Sequence, residues 1–364
     1  MSGALDGILI ADFSRVLAGP YATMLLGDLG AEVVKVERPG IGDDTREWGP
    51  PYASSGMSTY FEGVNRNKRS VSIDLSSDEG RAEARELALR ADVLVENFKP
   101  GALDRMGLGF DELRALNPGL IYCSISGFGS DRGRDLPGYD LLVQAMGGLM
   151  SVTGPSSEEP TKVGVALVDV ITGLHACVGI LAALQHRDRT GEGQRIEVNL
   201  LSSLLSALVN QAAAFVGAGV VPRAMGNAHP SIAPYEVYPT ADQPLVIAVG
   251  NDSQFAALVG ELGAADLAKD PRFATNPQRV AHREDLKVAL VGLLAAHDAQ
   301  EWHRRLTAAG VPCGPINTIA QAFALAEQLG LDPIALADGH PGVANPISLS
   351  QTPPTYRLPP PALG

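Results

Sequence analysis

A single carboxylate, Asp169, stands near the start of the long apolar run 163–184. Burying an ionised carboxylate without a partner is costly, so the position calls for something to hold the charge. A helix N-terminus is one holder. Aspartate is a favoured N-cap, and Val170, Leu174, Val178, Leu181 and Leu184 follow it at helical spacing. A carboxylate kept ionised at that positive end and facing a cleft is also a nucleophile, able to attack an acyl group. The residues alone leave both readings open. A second carboxylate, Asp140, closes Pro137-Gly-Tyr-Asp140 after the loop Gly127-Phe-Gly129, where helix capping is the plain reading. The basic residues Arg38, Arg66, Lys68, Arg69, Lys99 and Arg105 are scattered. Taken singly, each reads as a solvated charge. Trp48 lies in the polar, proline-closed loop 43–51, where it either packs on a neighbouring helix or serves a site.

Other chemistries lose ground by their missing patterns. Ser14-Arg-Val-Leu-Ala-Gly19 is neither a G-x-G-x-x-G fingerprint nor a P-loop, which disfavours a nicotinamide enzyme and an ATP-driven ligase. No histidine pair has metal-ligand spacing, and no G-x-S-x-G elbow occurs. Cys123, Cys177 and Cys313 are far apart in apolar runs and read as buried thiols. With a formal charge of −13, the chain is not expected to bind nucleic acid, so an anionic ligand must meet a local basic cluster. The apolar run 163–184 contains Asp169, His175, Gly173 and Gly179, which speak against a membrane span, and the N-terminus lacks a basic start. A cytoplasmic protein is expected.

The elements that must position these residues alternate as in a parallel sheet with helices on its faces. Residues 7–14 read as a strand, Gly19-Pro20 opens a helix through Leu29, and 31–37 is the next strand. Strands follow at 71–75, 92–98, 120–126 and 194–200, with a capping box at Ser76–Glu79 opening a helix to about Ala91. The carboxyl ends of such strands bind ligands in doubly wound sheets, which gives Arg38, Asn97, Phe98 and Lys99 one address. An apolar helix over 201–216 precedes a Pro- and Gly-rich crossing at 221–234. Beyond it come a strand at 245–249 and helices near 252–262, 280–297, 299–309 and 319–329, with Gly310 and Gly330 at C-cap positions. From Pro341 onward seven prolines forbid a regular helix, so the tail should run extended over a surface.

Several of these stretches, in this order, resemble the family III CoA-transferases, the group related to formyl-CoA transferase and the carnitine CoA-transferases. They are Asp12–Pro20, Gly30–Pro39, Val95–Gly101, Gly127–Gly129, Pro137–Asp140 and Asp169 in its glycine-containing helix. Arg15–Pro20, Gly42–Arg46, Trp48–Pro51, Asn65–Lys68 and Gly314–Asn317 are similar to the members that use succinyl-CoA and glutarate. The resemblance covers nearly the whole chain.

The resemblance implies an α/β fold: a Rossmann-like large domain over 1–222, an inserted smaller α/β domain over 223–330, and a tail over 331–364 returning to the large domain. It implies an interlocked homodimer. It makes Asp169 the nucleophile, with Asp140 in the catalytic group and Gly250 and Asn251 supplying amides for the oxyanion. Val16, Arg38, Ile73, Asn97, Phe98, Lys99 and Arg105 would bind CoA, the acyl-CoA being substrate, with neither a metal nor a nucleotide cofactor. Arg15, Leu17, Arg46, Trp48 and Tyr139 would face the acceptor acid. Formyl-CoA transferases carry glutamine where this chain has Leu17, which argues against formate and oxalate. The family's α-methylacyl-CoA racemases carry histidine where this chain has Tyr139, and a neutral phenol with a pKa near 10 is a poor base at neutral pH. A non-catalytic acyl-CoA-binding relative is the alternative of another class.

Overall fold

The structure is a computed structural model that describes residues 3–364. Its contacts divide the chain into two units, residues 1–149, 162–221 and 332–364 in one, and 150–161 with 222–331 in the other. The expected large domain included 150–161; the contacts group that segment with the second unit instead.

The first unit is built on six parallel strands: β1 (Leu9–Asp12), β2 (Glu32–Glu37), β3 (Lys68–Ser72), β4 (Val93–Glu96), β5 (Ile121–Ser126) and β6 (Arg195–Asn199). Their order is β3-β2-β1-β4-β5-β6, so the direction of winding reverses between β1 and β4. In β1 and β4 successive side chains serve opposite cores, as a sheet covered on both faces requires. Ile10, Val93 and Val95 join the core beneath the helices Ala18–Asp28 and Leu167–Thr190. Ala11, Phe13 and Leu94 join the core beneath the helix Asp78–Arg90.

The helix Leu167–Thr190 buries Val168, Thr172, Gly173, Ala176, Cys177, Ile180 and Ala183. The apolar stripe that follows Asp169 at helical spacing lies largely outside: Leu174, Val178 and Leu181 are exposed. This helix is apolar on both sides, so periodicity could not say which side the sheet would take. Gly173 lets it approach the helix Ala18–Asp28, because a Cβ there would come 2.6 Å from the carbonyl oxygen of Ala18. The helix is long and apolar enough to cross a bilayer, yet here it packs on β5 and β6.

Other boundaries moved. β3 runs three residues earlier than expected, and Ser77, rather than Ser76, caps the following helix by accepting the Gly80 N–H. The helix expected over 201–216 is two, Leu200–Ala207 and Val209–Ala218, bent by 84° at Val209, whose φ is +37°. The tail begins with a hairpin, β10 (Ile334–Ala337) and β11 (His340–Val343), and then runs extended. Its Asn345 and Thr355 join Arg66 and Asn67 around Asp28, whose carboxylate accepts from Arg66, Asn67 and Asn345, while Thr355 N–H donates to the Asp28 carbonyl.

The second unit holds a three-stranded antiparallel sheet of β7 (Tyr235–Tyr238), β8 (Leu245–Ala248) and β9 (Cys313–Pro315). Helices Asp252–Glu261, Arg283–Leu294 and Ala299–Ala308 bury Phe255, Leu290 and Trp302 in its core. Gly310 and Gly330 follow helix ends with φ of +75° and +70°. Left-handed backbone of that kind favours glycine. Cys123 and Cys177 are buried, whereas Cys313 is half-buried with its thiol 3.6 Å from His303 Nδ1.

Candidate active site

The chain leaves β1 at Asp12 and turns sharply through Ser14, Arg15 and Val16 into the helix Ala18–Asp28. Beside it, the chain leaves β4 through Asn97, Phe98 and Lys99. Two depressions border this turn, on the rim where the winding reverses and ligands of open α/β sheets bind. A groove of about 950 Å³, its open mouth included, is lined by Phe13, Lys35, Arg38, Asp43, Ile73, Phe98 and Met106 among others. A cleft of about 1280 Å³, again with its mouth, is lined by Arg15, Val16, Leu17, Trp48, Asn97, Lys99, Tyr139, Asp140 and Asp169 among others. Arg15 and Phe98 line both.

Asp169 sits in the first turn of its helix, after Leu167 and Val168, and is not the cap. Asp140 takes that part from another helix, its Oδ1 accepting the N–H groups of Val168 at 2.8 Å and Asp169 at 3.2 Å. Its Oδ2 accepts from Gln144 Nε2 at 2.6 Å, and Gln144 Oε1 in turn takes the N–H of Val163. The capping read for Asp169 falls to Asp140, which serves the neighbouring helix rather than its own. Among the described residues nothing donates to the Asp169 carboxylate. Burial, and then the neighbouring charge of Asp140, push it up to about 7. An acid that ionises near neutrality without a hydrogen-bond partner is a reactive base or nucleophile.

The loops beside it depend on a close approach. A side chain on Gly127 or Gly138 would overlap the other's backbone, so these glycines let the two loops touch at the rim. Tyr60 was missed by sequence reasoning, since nothing in its surroundings marks it. It packs edge-on against Trp48 at 5.3 Å between centroids. Burial raises its phenol above the ordinary value, helped by the charges of Asp169, Asp140 and Asp43. Arg134 was also missed; it reaches the cleft from the loop before Pro137, anchored to the Pro100 carbonyl.

The expected CoA residues divide between the depressions. Arg38 and Ile73 belong to the groove, Val16, Asn97 and Lys99 to the cleft, and Phe98 to both. Arg105 lines neither, although its neighbour Met106 does. Asn97 spends its amide on the turn, exchanging hydrogen bonds with the backbone N–H and carbonyl of Arg15. Lys99 pairs with Asp135, and Arg38 and Arg15 both pair with Asp44.

Of the residues expected to face the acceptor, Arg15, Leu17, Trp48 and Tyr139 line the cleft and Arg46 does not. Its Nε and Nη2 hold both oxygens of Glu37 at 2.9 and 2.6 Å, Nη1 donates to the Pro361 carbonyl, and its guanidinium lies 3.8 Å from the Phe61 ring centroid. A guanidinium so engaged fixes the tail and has little left for a substrate. Arg66 and Lys68, counted among the scattered surface cations, are instead buried against Asp28 and Asp12. In the second unit, Gly250 N–H donates to Gln254 Oε1 at 2.8 Å and the Asn251 side chain caps the helix Asp252–Glu261. The Gly250 amide is therefore occupied, against its expected part as an oxyanion donor. No group of three His, Cys, Asp or Glu side chains among the described residues converges to hold a metal.

A buried carboxylate raised to about 7 on the carboxyl edge of a doubly wound sheet, with an open groove beside it, is an arrangement that can support covalent acyl chemistry. A profile of CoA-transferase family III matches residues 5–364. The chain belongs to CoA-transferase family III. It is 46% identical to a succinate–glutarate CoA-transferase of Agrobacterium fabrum, over 99% of this chain and 93% of that one. It is 41% identical to an acetyl-CoA:oxalate CoA-transferase of Acetobacter aceti, over 96% and 90%. Among solved structures, a CAIB/BAIF family protein from Brucella suis superposes with a TM-score of 0.89 at 43% identity, covering 100% of this chain and 97% of that one. Members of family III are enzymes, and this chain is a CoA-transferase of that class.

Proposed function

We propose that this CoA-transferase moves CoA between a dicarboxylic acyl-CoA and a free carboxylic acid, with Asp169 as the covalent carrier. The observation that carries the reading is the Asp169 carboxylate: unpartnered, raised to about 7, and lining the cleft beside the nucleotide-sized groove. An Asp169 oxygen attacks the donor thioester carbonyl and the CoA thiolate leaves, giving a mixed anhydride. The thiolate then attacks the aspartyl carbonyl, releasing the donor acid and leaving an aspartyl-CoA thioester. The acceptor carboxylate attacks that thioester to form a second anhydride, and the thiolate takes the new acyl group, freeing Asp169. One thioester replaces another, so the exchange is close to thermoneutral and needs no nucleotide hydrolysis. The intermediates divide one difficult exchange into easier steps.

The similarity to a succinate–glutarate enzyme at 46% identity supports a dicarboxylate as substrate, while the acetyl-CoA:oxalate relative at 41% keeps short diacids within reach. Arg15, half-exposed in the cleft, is the cation we assign to the far carboxylate. Arg38 and Ile73 hold the nucleotide end of CoA, and Phe98 and Lys99 its pantetheine end. The exposed apolar residues of the helices from Leu167 to Ala218, Val178, Val209, Phe215 and Val216 among them, fit burial against a second copy, and we assign the enzyme to the cytoplasm as a homodimer. Mass spectrometry of protein incubated with succinyl-CoA tests the mechanism. A CoA-sized adduct on the Asp169 peptide, absent from Asp169→Asn, is the expected result, and full exchange activity in Asp169→Asn would refute it.

A further inference from the structure

We propose that the buried ion pair of Lys35 and Asp43 is a positioning device that locks the turn Ser14–Val16 and thereby sets the wall of the acyl cleft. Lys35 lies on β2 and Asp43 in the loop after it, and their side chains are 1% and 0% exposed. Such a pair is weak evidence for stability, because apolar residues of similar volume often serve as well. Its hydrogen bonds indicate another use. Lys35 Nζ donates to Asp43 Oδ2 at 2.8 Å and to the Ser14 carbonyl at 2.9 Å. The Asp43 carboxylate accepts the Val16 N–H, 3.2 Å from each oxygen, and Oδ1 also accepts the N–H and hydroxyl of Thr45. On the other side Asn97 grips the backbone of Arg15 through both its amide groups.

The conformation so held is one that Val16 would not adopt by itself. Its φ is +71°, and a β-branched residue in the left-handed region is a true outlier. Release of the clamp lets this residue fall back to negative φ and carries Leu17, the next wall residue, with it. The clamp also touches both depressions. Lys35, Asp43 and Ser14 line the groove, whereas Val16 and Leu17 line the cleft with Asp169. An occupant of the groove therefore rests on the side chains that shape the cleft.

The kinetic consequence rests on the CoA-transfer reading of Asp169. In full-length enzyme, Lys35→Met with Asp43→Leu replaces the pair by apolar groups, and Asp43→Asn keeps an acceptor for Val16 while removing the charge. The expected result, per folded molecule, is a kcat at least tenfold lower in the double variant and a smaller fall in Asp43→Asn. Adding Val16→Gly should recover threefold or more, because glycine takes φ of +71° without steric cost. Unchanged kcat in folded protein, or no recovery with glycine, would overturn the proposal. If the double variant does not fold, Asp43→Asn with and without Val16→Gly decides in the same way. Amide hydrogen exchange over residues 14–17 reads the clamp without any substrate: protection should fall at least tenfold in either clamp variant, and unaltered protection would sink the idea. An unmodified enzyme that exchanges no CoA would count against the functional reading alone, and the exchange measurement would then judge the clamp.

Discussion

The Asp169 carboxyl is ionised with difficulty, and that has two measurable effects. A nucleophilic carboxylate acts only when deprotonated, so kcat/KM for acyl-CoA should rise with pH along an acid limb near 7. Asp140→Asn keeps an oxygen acceptor for the helix N–H groups but removes a neighbouring negative charge, so that limb should move to lower pH. A limb near 4 in the unmodified enzyme would contradict the reading. The same shift bears on stability. The folded pKa lies above the unfolded value of 3.8, so the native state holds the proton more tightly and loses stability as pH rises from about 4 through 7. Asp169→Asn removes that loss. It should be more stable than the parent at pH 8, by at most roughly 4 kcal/mol at 1.36 kcal/mol per pKa unit, with no advantage below pH 4. Urea unfolding at both pH values checks this. The two arginines separate in another way. Arg15→Ala should narrow the rate advantage of succinate over butyrate, whereas Arg46→Ala leaves Glu37 buried without its partner and should cost about 3 kcal/mol with the advantage intact. Steady-state rates with the two acids, beside thermal unfolding, distinguish them. Asp169 stood out in the sequence as one charge in an apolar run, which left capping and catalysis both open. Arg46 was expected at the acceptor, and Asp140 was read from its surroundings as a helix cap and from the resemblance as catalytic, because sequence gives a residue's chemistry without naming its partner 9 or 28 positions away.

At the scale of elements, the crossing at Gly173 links packing to the site. Its helix carries Asp169 one turn earlier, and the helix it touches begins at Ala18 on the cleft wall. Gly173→Ala places a methyl against a backbone oxygen, so the helices must separate. Overpacking of this kind costs about 1–3 kcal/mol, and kcat should fall with it. A variant with parental Tm and kcat would show that the crossing tolerates the extra carbon. The inner strands β1, β4 and β5 were readable because both-face burial writes largely apolar runs, and the edge strand β6 because Ile196 and Val198 alternate with Arg195 and Glu197. The hairpin at 334–343 carries the turn signal Asp338-Gly339, both at positive φ, but Pro341, which cannot donate to a ladder, lies within its second strand and weakens the strand pattern. The break at Val209 left no trace, as neither glycine nor proline marks it. The stripe of Leu174, Val178 and Leu181 marked a helix but not its buried side, because a helix apolar on two sides has no single face to find.

Across the whole molecule, the tail is what returns the chain to its beginning. Asp28 is fully buried, and its carboxylate is met by Arg66 and Asn67 from before β3 and by Asn345 from the tail. Asp28→Asn would leave Arg66 with a neutral partner in a buried place. It should destabilise the first unit by about 3–5 kcal/mol, read by urea unfolding, and raise proteolysis of the tail. A loss below 1 kcal/mol would mean that the tail is held by its other contacts. The division into a sheet with helices and an inserted unit could be anticipated from the alternation of elements and from the proline-rich crossing. The membership of 150–161 could not, since it depends on long-range backbone pairs such as Gly226 N–H with the Gly154 carbonyl.

The same strap bears on the order in which the molecule can be made. Asn345 is 317 positions beyond the carboxylate it meets. At roughly 5–20 residues per second a ribosome takes about 15–60 s to cover that distance. During that interval the first helix and its strands have emerged, while Asp28, Arg66 and Asn67 still await their last partner. The first unit of the newborn chain is thus an incomplete body throughout that interval, with the helix end at Asp28 not yet covered. Its closing step waits until Asn345 has emerged.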